Sequence, residues 1–368
     1  MKKVMVIFGT RPEAIKVAPV IKELEKRNDI EPIVCVTAQH RQMLDQVLET
    51  FDIKPDFDLN IMKQGQTLTD ITTRVLNGIE EVLEEVKPDM ILVHGDTTTT
   101  FASALAAFYH QIPIGHIEAG LRTYNKYSPY PEEMNRKMVS DLADLHFAPT
   151  NESKENLLKE NREEKDIVVT GNTVIDALTT TVNAEYTNTV LDSIDETKRI
   201  ILLTAHRREN LGKPIENIFG AVKKIAEEYN NVCIIYPMHK NPVIREMAEK
   251  ILGNNENVKL IEPLDVLDFH NFMSKAYLIL TDSGGIQEEA PALGKPVLVL
   301  RNTTERPEGI SAGTLKLVGT DEDKIYNNTK ILLDDEIEYN KMSMASNPYG
   351  DGKASIRIVD EIEKYFKK

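Results

Sequence analysis

Tryptophan is absent, aromatic residues make up only 6% of the chain, and cysteine occurs twice in 368 residues. A core without Trp must rest on Ile, Val, Leu, Met and Ala. So few cysteines exclude a disulfide-stapled scaffold. Each lies in an apolar run, Ile33-Val34-Cys35-Val36 and Val232-Cys233-Ile234-Ile235. That is the setting of a small buried hydrophobe rather than of a disulfide or metal ligand. No apolar stretch reaches the roughly 18–20 residues that cross a bilayer. The short run behind Met1-Lys2-Lys3 is too brief for a signal peptide, so a cytoplasmic setting without a membrane partner is expected. Positive charge is scarce as well: 44 Lys and Arg against 59 Asp and Glu, a net charge of −15. A chain this acidic repels phosphate backbones, which argues against nucleic acid as a partner. A small phosphorylated ligand remains compatible, provided amide groups and a few placed cations supply local positive field.

What is present is alternation. Short apolar runs (Val4–Phe8, Ile33–Val36, Met90–Val93, Ile112–Ile117, His146–Ala148, Ile167–Val169) are separated by amphipathic stretches such as Ala14–Glu25 and Leu68–Val86. Strand runs without polar alternation, spaced by helices, indicate parallel sheets covered on both faces. The pattern then restarts with Ile200–Leu203, Cys233–Tyr236, Val258–Ile261, Leu278–Leu280, Val297–Leu300 and Leu315–Val318. The expectation is an α/β protein of two Rossmann-like, doubly wound domains, 1–182 and 183–353, with Asn183–Lys198 as linker. A last helix near 354–368 is expected to pack back on the first domain. Ligands in such sheets sit beyond the carboxyl ends of the strands, so the two domains are expected to face each other across a cleft.

The loops at those strand ends hold the candidate chemistry. Gly9-Thr10-Arg11-Pro12-Glu13 opens a helix, with Thr10 as N-cap, Glu13 as capping-box partner and Pro12 in an early helical position. Arg11 and Lys16 near that start suit an anion, although a merely well-capped helix fits equally. Asp96, in His94-Gly95-Asp96-Thr97, follows a strand, and the neighbouring threonines make a capping role for it redundant. His116-Ile117-Glu118 ends the next strand. The spacing of two within His94/Asp96 and His116/Glu118 raises a metal site, but no further ligand pattern accompanies it. Carboxylates working as acids and bases explain Asp96 and Glu118 better. Glu132, after Pro131, is common helix-start chemistry. In the second half, His206 lies beside Arg207 and Arg208, and His239 ends another strand. Ser283-Gly284-Gly285 between strand and helix offers a diphosphate cradle, with Glu289 placed to accept ribose hydroxyls and Arg306 beyond the next strand. No Gly-x-Gly-x-x-Gly loop occurs, so no hydride cofactor is expected.

Taken together, Gly9-Thr10-Arg11-Pro12-Glu13, His94-Gly95-Asp96-Thr97, Glu118-Ala119-Gly120-Leu121-Arg122, His206-Arg207-Arg208-Glu209-Asn210, Asp282 to Glu289 and Glu305-Arg306-Pro307-Glu308 resemble, in order, the non-hydrolysing UDP-N-acetylglucosamine 2-epimerases. The resemblance runs from Lys3 to about Phe366. It implies a glycosyltransferase-B-like architecture, a homodimer, UDP in the interdomain cleft and no metal or cofactor, in an enzyme of cell-surface polysaccharide biosynthesis. It further implies that Arg11, Lys16, Phe269 (near the uracil), Ser283, Gly284, Gly285, Glu289 and Arg306 hold the nucleotide. The resemblance also implies that Asp96, Glu118, Glu132 and His206 carry the catalytic roles. Some members bind a second substrate molecule in a region matched here by Gln39, Gln42, Arg207 and His239, while Gly65 stands where those members carry an Arg. The implied reaction converts UDP-N-acetylglucosamine to UDP-N-acetylmannosamine. Because the C2 proton is unactivated, UDP must leave to give 2-acetamidoglucal and then add back. The competing readings are a hydrolysing epimerase that releases N-acetylmannosamine and UDP, a glycosyltransferase of the same fold, and a non-catalytic UDP-sugar sensor.

Overall fold

The computed structural model describes residues 1–39, 41–304 and 306–368, without the side chains of Gln42, Met43 and Arg208. The chain divides into two compact units, Met1–Thr180 with Tyr349–Lys368, and Thr181–Pro348.

The first unit holds seven strands, β1 (Lys2–Phe8), β2 (Ile30–Val36), β3 (Phe57–Asp58), β4 (Met90–His94), β5 (Ile114–Ile117), β6 (Leu145–Ala148) and β7 (Ile167–Val169), in the order 3-2-1-4-5-6-7. Every pairing is parallel. Val4–Phe8 and Met90–Val93 are wholly buried, as runs without polar alternation require when helices cover both faces. β3 was not anticipated, because two residues are too few to show a period. The helix Leu68–Val86 illustrates the local logic. Thr67 and Asp70 cap it reciprocally, Thr67 Oγ1 accepting the Asp70 N–H at 3.1 Å and Asp70 accepting the Thr67 N–H at 2.9 Å. Ile71, Val75, Ile79, Leu83 and Val86 then face the core at helical spacing.

The second unit holds β8 (Arg199–Thr204), β9 (Val232–Pro237), β10 (Val258–Ile261), β11 (Leu278–Thr281), β12 (Val297–Val299) and β13 (Leu315–Leu317), ordered 10-9-8-11-12-13 and again parallel. Each sheet therefore begins at its centre and reverses there, between β1 and β4 and between β8 and β11. Loops leaving adjacent strands at such a switch point splay apart and open a crevice. The polar stretch expected to be a linker lies inside this unit and carries a short helix, Thr189–Asp192, started by the Asn188 side chain accepting the Val190 N–H at 2.9 Å. Among the described residues no helix is long and apolar enough to cross a membrane.

The final helix, Ala354–Lys367, belongs to the first unit. Buried Asp176 holds its start, accepting the N–H groups of Ala354 (3.1 Å) and Ser355 (2.8 Å) and the Ser355 hydroxyl. A carboxylate there satisfies amides that have no partner inside the helix. Replacing Asp176 with Ala strands them and should cost about 1–3 kcal/mol. Amide hydrogen exchange should show protection lost first in residues 354–362. Unchanged protection would contradict this role.

Candidate active site

In the first unit the chemistry gathers where β1, β4 and β5 end. Glu13 ties two of these loops together: Oε2 accepts the N–H groups of Gly9 (3.1 Å) and Thr10 (2.8 Å), and Oε1 accepts the hydroxyls of Thr97 (2.7 Å) and Thr100 (3.1 Å). Gly9 has no room for a side chain, since a Cβ there would lie 2.1 Å from Thr37 Oγ1. Thr97 caps the helix Thr98–Tyr109, which leaves Asp96 outside the cap and a quarter exposed. Glu118 leaves β5 in the left-handed region, φ +63. That conformation is costly for a non-glycine residue and turns its side chain away from the strand's own alternation.

One guanidinium joins the two carboxylates. Arg136 pairs with Asp96 Oδ2, donates to the Glu118 carbonyl at 2.6 Å, and reaches Glu118 Oε2 at 3.4 Å. Lys16 pairs with Glu118 Oε1, and Asn172 Nδ2 donates to the same oxygen at 3.3 Å. Burial alone would raise the Glu118 carboxyl, but Lys16 and Arg136 hold it well below the usual range. His94 is fully buried and pushed down to about 4 by that burial, so it is neutral. Its Nε2 lies 4.0 Å from Glu118 Oε1, beyond hydrogen-bond reach. His116 Nε2 meets the Gly95 carbonyl at 2.8 Å, and burial drives its pKa well down. Both histidines are thus packed behind the acids rather than ligands, and no group of His, Cys, Asp and Glu suited to a metal occurs among the described residues.

Glu132 and Arg11 stand apart from this network. Glu132 forms no hydrogen bond or ion pair among the described residues, yet it opens the helix Glu132–Leu142 three and four residues before Asn135 and Arg136. Asn135 Nδ2 donates to the Asp96 carbonyl at 2.9 Å, so Glu132 shares the helix face that meets Asp96. Arg11, at the first position of the helix Arg11–Leu24, likewise forms no hydrogen bond or ion pair among the described residues. A bare cation on a positive helix end is repelled unless an anion joins it. Lys16, by contrast, is committed to Glu118.

In the second unit the hub is Asp282, with no exposed surface. Its Oδ2 accepts the backbone N–H groups of His206 and Arg207, both at 2.8 Å, and Asn210 Nδ2 at 3.0 Å. The loop after β8 is therefore shaped by the residue that follows β11. Tyr236 supports it from β9, donating to the Ala205 carbonyl at 2.7 Å. His206 Nδ1 lies 3.4 Å from Asp282 Oδ1, and its ring stacks on His239, centroids 5.6 Å apart. Burial lowers the His206 pKa, outweighing the Asp282 charge that would raise it.

Gly284 lies between two guanidiniums: a Cβ there would be 3.5 Å from Arg306 Cζ and 3.6 Å from Arg207 Nη2. Arg306 is oriented by Glu288 (2.9 Å from Nε) and Arg207 by the Asp282 carbonyl (3.2 Å). The helix that follows, Ile286–Ala292, is short, so the positive field at Ser283-Gly284-Gly285 comes mainly from these two side chains. Glu289 packs one oxygen against Gly285, and half-buried Phe269 lies on the helix Val266–Lys275.

Of the positions matched to a second binding region, Gln39 accepts the Thr99 hydroxyl at 3.2 Å, Arg207 and His239 lie beside His206 as described, and the Gln42 side chain is outside the described residues. Gly65 presents no side chain and has nothing within 4 Å of a Cβ position. Arg136, Asn172, Asp282 and Tyr236 received no role from the sequence. Arg136 had a signal, its helical spacing from Glu132; Asn172 had none, because only the fold brings it to Glu118.

A family model described as UDP-N-acetylglucosamine 2-epimerase matches residues 22–363. The chain is 65% identical over 360 residues to the UDP-N-acetylglucosamine 2-epimerase of Bacillus subtilis (strain 168), spanning 98% of this chain and 94% of that one. The crystal structure of UDP-GlcNAc 2-epimerase from Neisseria meningitidis bound to UDP-GlcNAc aligns with a TM-score of 0.89 at 53% identity, covering 98% of this chain and all of that one. The enzyme from Methanocaldococcus jannaschii in complex with UDP-GlcNAc and UDP aligns at 0.80 and 37%, covering 98% and 99%. Likeness of this extent, along whole chains and on the same paired parallel sheets, makes the chain a member of the UDP-N-acetylglucosamine 2-epimerases, isomerases of the glycosyltransferase-B-like fold.

Proposed function

We propose that this epimerase, of the non-hydrolysing kind, interconverts UDP-N-acetylglucosamine and UDP-N-acetylmannosamine by elimination and re-addition of UDP, as a cytoplasmic homodimer. A base takes the C2 proton while the C1–O bond breaks, its electrons leaving with UDP and the C2–H pair forming the C1=C2 double bond of 2-acetamidoglucal. UDP then re-forms the C1–O bond as an acid on the opposite face delivers a proton to C2. Atoms and charge balance without a cofactor.

The sharing of Arg136 by Asp96 and Glu118 carries this reading, because a pure anion binder gains nothing from carboxylates at its strand ends. With Glu132 on the same helix face as Arg136, these acids supply proton carriers for both sides of C2. Glu118, held ionised, begins as an acceptor. Arg207, Arg306 and His206 stabilise the departing diphosphate, assisted by Arg11, and Lys16 sets the charge of Glu118. Phe269 and Glu289 receive the uridine, and Ser283, Gly284 and Gly285 the phosphates.

In D₂O the product UDP-N-acetylmannosamine should carry deuterium at C2, read by NMR. Turnover without incorporation would exclude elimination, and accumulating free N-acetylmannosamine would favour the hydrolysing reaction. Asp96→Asn should lower kcat by about 10²-fold or more while the UDP Kd changes little; a folded variant with the normal rate removes Asp96 from the mechanism.

His206 generates a pH prediction. Its lowered pKa leaves it neutral in the free enzyme at pH 7.5, whereas a bound diphosphate favours the protonated ring. UDP binding should therefore take up a proton, and affinity should tighten as pH falls from 7.5 toward the free-enzyme pKa, then level off. Calorimetry in buffers of different ionisation enthalpy measures the uptake. His206→Asn should reduce it, and equal uptake in both would remove His206 from the diphosphate site.

A further inference from the structure

His270 is fully enclosed in the second unit and has no place in the reaction proposed above. Its side chain is 3% exposed and lies between two groups. Nδ1 lies 2.6 Å from the Thr181 hydroxyl, and Nε2 lies 3.5 Å from Glu289 Oε2. An ionised Glu289 can only accept, so the nitrogen facing it carries the proton. In the neutral ring Nδ1 is then the acceptor, and the Thr181 hydroxyl must donate to it. The neighbouring residue repeats the attachment: Asn271 Nδ2 donates to the Thr181 carbonyl at 2.8 Å, and its Oδ1 accepts the Asn183 N–H at 2.9 Å. Thr181 opens the second unit, so its position is held by two consecutive side chains of one helix.

We propose that His270 is a positioning residue for nucleotide recognition: Thr181 selects its tautomer and orientation, and its Nε2–H aims the Glu289 carboxylate at the ribose hydroxyls. This rests on the reading of Glu289 as the ribose acceptor. The physical need is plain. A Glu side chain has three rotatable bonds, and one oxygen already packs against Gly285. Without a donor on Oε2 the carboxylate is free to rotate, and a bidentate contact with two hydroxyls loses its geometry. An oriented imidazole behind a ligating carboxylate removes that freedom before the ligand arrives.

The ribose supplies the readout. Removing one hydroxyl from a ligand whose partner is a part-buried acceptor leaves that acceptor unpaired. Wild-type enzyme should thus bind UDP about tenfold more tightly than 2′-deoxy-UDP. His270→Asn keeps a group facing Thr181 but cannot reach Glu289, and Thr181→Val removes the orienting hydroxyl at constant shape. Both should narrow the ratio to about threefold or less and raise KM more than they lower kcat. His270→Gln, whose amide reaches the position of Nε2, should keep most of the wild-type ratio. A solely structural His270 would lower Tm in all variants and leave the ratio intact. If Glu289→Gln abolishes the discrimination while His270→Asn and Thr181→Val retain it, the positioning role is overturned and the ribose reading stands. If wild-type enzyme does not discriminate, or Glu289→Gln discriminates as well as wild type, the ribose reading itself falls.

Discussion

The carboxylates that follow β4 and β5 share one guanidinium, that of Arg136. It spans β4 and β5 from a helix that neither strand belongs to, touching Asp96, Glu118 and the Glu118 backbone. Lys16 adds a second positive charge from the helix after β1. The cluster therefore depends on the switch-point topology of the first sheet, which brings β1, β4 and β5 together with their carboxyl ends in one place. The left-handed backbone at Glu118 is strain that the surrounding hydrogen bonds sustain.

The second unit solves a different problem with a similar device. Here cations stand near one another, and the residue that organises their loop is acidic. Asp282, wholly buried, accepts two consecutive backbone amides and an Asn side chain, so the loop holding His206 and Arg207 takes its shape from β11. Arg306 is held by Glu288 in turn. Arg207 is held by the Asp282 carbonyl.

The histidines show how environment separates residues of the same type. His94 and His116 are sealed behind the acids, and burial keeps them neutral. His206 keeps some exposure and has a carboxylate 3.4 Å away. His270 is enclosed, with Nδ1 on the Thr181 hydroxyl and Nε2 3.5 Å from Glu289 Oε2, which suits it to orientation rather than proton transfer.

Much of this was legible beforehand. Buried strands such as Val4–Phe8 are continuous apolar runs because helices cover both sheet faces, and that pattern is local in the chain. Two doubly wound series, the helix opening at Thr10 and Glu13, and Asp96, Glu118, His206 and Ser283–Gly285 at strand ends all follow from it. Arg136, Asn172, Asp282 and His270 acquired their roles only in three dimensions. Asn172 stands 54 positions from Glu118 and Asp282 stands 76 from His206, and no periodicity links such pairs. Composition and spacing determined which strand ends carry charge. The tertiary structure decided which charges meet, because hydrogen bonds and ion pairs act over a few ångströms of space whatever the distance along the chain.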